Sequence, residues 1–264
     1  MLAPGDGEHK FDAFARAAST PAKRAMAVSA PTVPVARPND RVFFSTMSIV
    51  ILAIVFVGFM RTFYLASYFG RPAVSPLRVA HGTAFTSWVM LFAVQTTLIA
   101  AGRRDVHRKL GYAGAVLAAI MVPLGLVLAI ASARAGHAPP GLSPLGFLII
   151  PVFDMLVFAP LVAAAVYYRR QAAMHKRLML IATVSLLGAA MARVTGTPGA
   201  GGPLVFFGVP DLLLVCGMIY DRRTLGSVHP AYKWGGGLVV TSQVLRLVLL
   251  GSSLWLAIAT RLTK

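Results

Sequence analysis

Seven stretches of this chain are apolar and long enough to approach or exceed the roughly 20 helical residues needed to cross a hydrocarbon core of about 30 Å. They lie at about 42–66, 79–101, 110–133, 145–168, 175–194, 204–220 and 237–259, joined by short connections. Inside a bilayer every backbone polar group needs a partner within the protein, so runs of this length form helices. The sequence therefore predicts an all-α integral membrane bundle of about seven transmembrane helices, with sequence neighbours antiparallel. Pro123, Pro151, Pro160 and Pro210 fall within spans, where adjacent helices can satisfy the carbonyls that a proline frees.

Charge sets the expected partners. Only 12% of residues are charged, against 57% apolar, yet the formal net charge is +17. The basic residues sit mostly between the apolar runs, which suits anionic lipid headgroups and makes nucleic acid an unexpected partner. Residues 1–40, rich in Ala, Pro and Ser, have no apolar periodicity and read as a disordered basic tail ahead of a membrane domain at 41–264. The tail lacks the apolar core of a secretory signal, and Met26 is an alternative start. The lone Cys216, within a span, forms no intrachain disulfide and reads as a small buried residue.

The same charges orient the bundle. The tail and the second, fourth and sixth connections hold most of the Lys and Arg, including Arg103, Arg104, Arg169, Arg170, Arg222 and Arg223. With seven spans these segments share one side, expected to be cytoplasmic, leaving the C-terminus periplasmic in a bacterial inner membrane. Three of the basic segments are alike: GRRDVHRKLG (102–111), YRRQAAMHKRLML (168–180) and DRRTLGSVHPAYKW (221–234). Each places a His two to five residues after an Arg pair, near a helix start, which suggests one helix followed by three hairpins.

These segments, with HGTAFTSWVMLFAVQTTLIAAGRRDVHRKLG, FDMLVF, HKRLMLIATVSLLGAAMAR and GPLVFFGVPDLLLV, resemble a family of bacterial multi-pass membrane proteins. Members are usually described only as hypothetical or predicted membrane proteins. The resemblance covers about residues 43–260 and implies the fold and the membrane, without an activity or catalytic residues to carry over.

Ionisable groups inside spans are costly and mark candidate sites. His81, Trp88 and Gln95 recur at seven-residue spacing along one face of the second span. Asp154, Asp211 and Arg193 lie in the outer halves of their spans, and Gln243 and Arg246 share a face of the seventh. Helix adjacency suggests the pairs Asp211–Arg246 and Asp154–Arg193. These eight residues form the expected intramembrane polar site. His107, His175 and His229, with Arg103, Arg104, Arg169 and Arg170, are expected to meet lipid phosphates at the cytoplasmic face. Their spacing follows no local metal-ligand pattern such as HExxH, so the sequence leaves metal open.

Three functions fit. The first is small-molecule or proton-coupled transport or binding at the outer-half site. The second is a membrane redox protein holding haem or quinone, with His107 and His175 as the pair that bis-His ligation requires. The third is an accessory subunit of a homo-oligomer or larger membrane complex, whose polar residues serve packing. No nucleophile–base arrangement points to an enzyme.

Overall fold

Apolar periodicity becomes helix throughout this computed structural model, which describes residues 38–194 and 202–264 and contains no strand among them. Helix α1 spans Pro38–Phe59 and continues as a π-helical turn, Met60–Tyr64; α2 is Pro76–Ala100 and α3 is Arg104–Arg134. The short α4 (Pro144–Phe147) leads into α5 (Ile149–Tyr167), followed by α6 (Ala172–Val184), α7 (Gly188–Val194) and α8 (Gly202–Leu225). A π-helical turn at Tyr232–Gly236 opens α9 (Gly237–Leu249), and α10 (Ser253–Leu262) ends the chain. The stretch read as a tail up to residue 37, and residues 195–201, lie outside the described residues.

Five segments are single helices long and apolar enough to cross a membrane, and two more are bent pairs, giving seven if each pair is one span. The first bend, 41° between α6 and α7, falls where Phe206 presses on Gly188; a Cβ there would lie 2.4 Å from the ring. The second bend corrects the sequence reading. The run at 237–259 is not one continuous helix, because the chain turns 96° between α9 and α10. Gly251 takes φ +76°, a conformation in which a Cβ is strained, and Ser252 Oγ then caps α10 by accepting from Trp255 N at 3.2 Å. Helix α10 packs through Trp255 and Ala259 onto Ala129, Ala133, Leu148 and Ile149, and Trp255 Nε1 donates to Leu145 O at 2.8 Å.

The main core gathers around Ile51, Trp88, Phe158, Ile181 and Leu214. With no hydrophobic drive between helices in lipid, close backbone approach and interhelical hydrogen bonds carry the packing. Gly58 of α1 meets Ala190 of α7 so closely that a Cβ would stand 2.6 Å from its carbonyl oxygen. Ser48 and Thr96 join α1 to α2 at 2.9 Å, and Trp88 Nε1 donates to Thr183 Oγ1 at 3.3 Å. These contacts bring the starts of α1, α3 and α6 and the ends of α2 and α8 to one end of the bundle, called here the basic end. Asp154 and the last turn of α9 lie toward the other.

Candidate functional site

Toward the far end, Asp154 enters from the second turn of α5 and Arg246 from the last turn of α9. Arg246 Nη1 donates to Asp154 Oδ1 at 2.7 Å, with the two side chains 4% and 13% exposed. Phe153 and Phe207 each hold a ring centroid 5.9 Å from the guanidinium, within cation–π range. One helical turn earlier on α9, Gln243 Nε2 donates to Asp211 Oδ1 of α8 at 2.8 Å. The pairing differs from the sequence expectation, which joined Asp211 to Arg246 and Asp154 to Arg193. Helix adjacency misled because α9 packs on α5, so Arg246 faces Asp154 rather than its sequence neighbour.

Gln243 and Arg246 line a void of about 10 Å³ together with Ser185, Gly188, Phe206, Phe207, Pro210 and Val239. That volume is near the least that holds one water, roughly 10–15 Å³. Ser185 and Gly188 flank the α6–α7 bend, so the void sits where helical backbone is interrupted. Arg246 Nε is buried and without a partner among the described residues.

Four expected members stand apart from this site. Arg193 donates to Ala189 O at 2.6 Å and lies 4.6 Å over the Phe59 ring. His81 stacks on Phe85 at 4.0 Å, its Nδ1 buried and without a partner among the described residues. Trp88 is a core residue, 2% exposed. Gln95 belongs to the basic end, where its Nε2 donates to His107 O at 3.2 Å. A shared helix face did not bring His81, Trp88 and Gln95 to one place, because a seven-residue spacing also carries them from one end of α2 toward the other.

The basic end holds a network that the sequence reading missed. Arg177 Nε reaches both oxygens of Asp221, at 3.0 and 2.8 Å, and Nη2 adds a third contact to Oδ1. Asp221 Oδ2 also accepts from His229 N at 3.2 Å. Beside it, Asp40 accepts from Lys176 Nζ and from Tyr220 Oη, each at 2.7 Å, and Tyr220 stacks on Phe43 at 4.0 Å. Three transmembrane segments, α1, α6 and α8, are tied by these side chains. Asp221 stands directly before an Arg pair and Arg177 ends a His-Lys-Arg run, so both were absorbed into the count of basic loops.

The three histidines of this end separate. His107, in the first turn of α3, and His175, in the first turn of α6, come together with ring centroids 6.3 Å apart and planes at 85°. His175 Nδ1 is 2.8 Å from Ala165 O, whereas His107 Nδ1 is buried without a partner among the described residues. His229 stays in the loop, where its Nδ1 accepts from Ala231 N at 3.1 Å. Burial, and next the Arg177 guanidinium, hold its imidazole below the usual value. Arg103, Arg104, Arg169 and Arg170 are exposed around them.

Among the described residues no three His, Cys, Asp or Glu side chains gather as a metal cluster. Comparison with family models, curated proteins and solved structures found no match.

Proposed function

We propose that this protein is a membrane transport or binding protein that handles a proton or one small monovalent cation at the site formed by Asp154, Asp211, Gln243 and Arg246. The observation that carries this reading is charge imbalance beside a helix break. Asp154 is paired with the Arg246 guanidinium, whereas Asp211 is held only by the uncharged Gln243 amide. Water is scarce there and an uncompensated carboxylate is costly, so the site favours one added positive charge. Broken helices with polar residues at mid-membrane are a recurring way to build such sites in secondary transporters. The adjoining void of about 10 Å³, lined by Gln243 and Arg246, has room for at most one water and for no larger cargo in this conformation.

The orientation follows from loop charge: the N-terminus and the basic end are cytoplasmic, the Asp154 site opens toward the periplasm, and the membrane is the bacterial inner membrane. Exposed Arg103, Arg104, Arg169 and Arg170 then lie at the level of anionic headgroups, each contributing about 1 kcal/mol of surface attraction.

Proteoliposomes carrying the purified chain test the reading. An imposed proton, Na⁺ or K⁺ gradient should drive a flux that Asp154→Asn and Asp211→Asn both abolish. Fluxes equal to those of protein-free liposomes for all three ions, from folded protein, would overturn it.

A further inference from the structure

The imidazole pair at the basic end is independent of that site, and nothing in the transport reading uses it. His107 and His175 come from different helices, α3 and α6, each of which packs on α5. A metal bound to an imidazole nitrogen at about 2.0–2.1 Å lies roughly 3.2 Å from the ring centroid. Two rings on opposite sides of one metal therefore stand roughly 6.4 Å apart, whereas a tetrahedral angle brings them to roughly 5.2 Å. The observed separation is 6.3 Å, with the planes nearly perpendicular.

The nitrogens are prepared for ligation. Ala165 O is placed to take a proton from His175 Nδ1, which fixes the tautomer and leaves the Nε2 lone pair free. This carbonyl-anchored arrangement is the usual outer support of a metal-bound histidine. His107 Nδ1 is buried and lacks any partner among the described residues, and so does Gln95 Oε1, whose amide nitrogen holds the His107 carbonyl. Two unpartnered polar atoms at one place leave free energy to be gained from a ligand.

We propose that His107 and His175 hold one transition-metal centre between them on opposite sides, as haem iron or as a bare ion that accepts linear nitrogen ligation, such as Cu(I). The 6.3 Å ring separation matches ligands on opposite sides of a metal better than the tetrahedral angle of a zinc site. Among the described residues no carboxylate joins the pair, while Arg103, Arg104, Arg108, Arg169 and Arg170 lie within six residues of one histidine or the other. That surrounding positive charge repels a naked dication and suits a centre carrying its own carboxylates, as haem does with its propionates.

The full chain, purified in detergent from cells supplied with iron and copper, gives the test through its absorption spectrum, its pyridine-haemochrome content and elemental analysis. Metal-free protein is then titrated with haemin and, separately, with Cu(I). Near-stoichiometric haem with a Soret band, or near-stoichiometric copper without one, is the expected result and tells the two sources apart. His107→Ala and His175→Ala should each weaken retention at least about tenfold, since changes to a metal-ligand set cost this much or more, while His81→Ala and His229→Ala retain the centre. His107→Met and His175→Met keep side-chain bulk where alanine prevents folding, and with haem they should shift the visible bands. The proposal is overturned if monodisperse, helical wild-type protein binds neither haemin nor Cu(I), or if the His107→Ala/His175→Ala variant binds as well as wild type.

Discussion

Arg177 and Asp221 fasten the start of α6 to the end of α8 through a forked ion pair whose side chains are 2% and 1% exposed. Such a pair repays its desolvation only when the geometry is good and the remaining lone pairs are used, and here the His229 backbone and the Ala173 carbonyl take up further valences. Removing one partner strands a buried charge. Arg177→Gln and Asp221→Asn should each cost about 3–5 kcal/mol, while the double change costs less than the sum. Thermal or denaturant unfolding in detergent, arranged as a double-mutant cycle, measures the difference. Additive effects would mean the pair is not coupled.

The far-end site makes a sharper demand, because two pairings compete. If Arg246 serves Asp154, then Asp154→Asn is much milder in an Arg246→Gln background than in the wild type. Asp211→Asn should couple instead to Gln243→Leu, with a weaker interaction of about 1 kcal/mol, as for a hydrogen bond to a charged or polar group. Coupling of Asp211, and not Asp154, to Arg246 would restore the pairing expected from helix adjacency.

Acid should loosen the basic end through His229. Its folded-state value lies below the usual one because burial opposes the charge first, then Arg177; Lys176 opposes it too, and Asp221 favours it. A base with a depressed value stabilises the fold in its neutral form. That contribution is complete above the unfolded value of about 6.5 and is lost as pH falls through the folded one. Protonation also removes the acceptor that Ala231 N uses. The apparent melting temperature of wild type should therefore fall more steeply below neutrality than that of His229→Gln. Parallel slopes would contradict this.

Gly251 and Trp255 test the fold of α10. Gly251→Ala places a Cβ at φ +76° and should cost about 1–2 kcal/mol. Trp255→Phe keeps most of the packing but loses the bond to Leu145 O and should cost about 0.5–1.5 kcal/mol. Both are read by unfolding in detergent. A neutral Gly251→Ala would indicate that α9 and α10 form one continuous helix.

The all-helical class and five of the spans were legible because spans announce themselves by length and hydropathy, a local property. The break at Gly251 was also written in the sequence, as Gly-Ser-Ser followed by Trp255, with the serine in position to cap. It was overridden by the apolar residues on both sides. Partners were much less legible. Asp154 finds Arg246 across 92 positions, and Asp40 finds Tyr220 across 180, distances over which helix periodicity says nothing about which faces meet. Asp221 and Arg177 were hidden for another reason: a buried ion pair beside a basic loop looks, in one dimension, like more loop charge. His107 and His175 could be placed at the same end from topology, but only the three-dimensional fold brings their rings within 6.3 Å of each other.

Asp211 is the carboxyl group of the far-end site whose partner, Gln243, carries no charge, so its replacement tests the cation-site reading most directly. Ion flux is measured in proteoliposomes carrying wild type or Asp211→Asn, with an imposed proton, Na⁺ or K⁺ gradient. Wild type should conduct one of these ions above protein-free liposomes, and Asp211→Asn should fall to the protein-free level. Equal fluxes through folded wild type and Asp211→Asn for all three ions would contradict the reading.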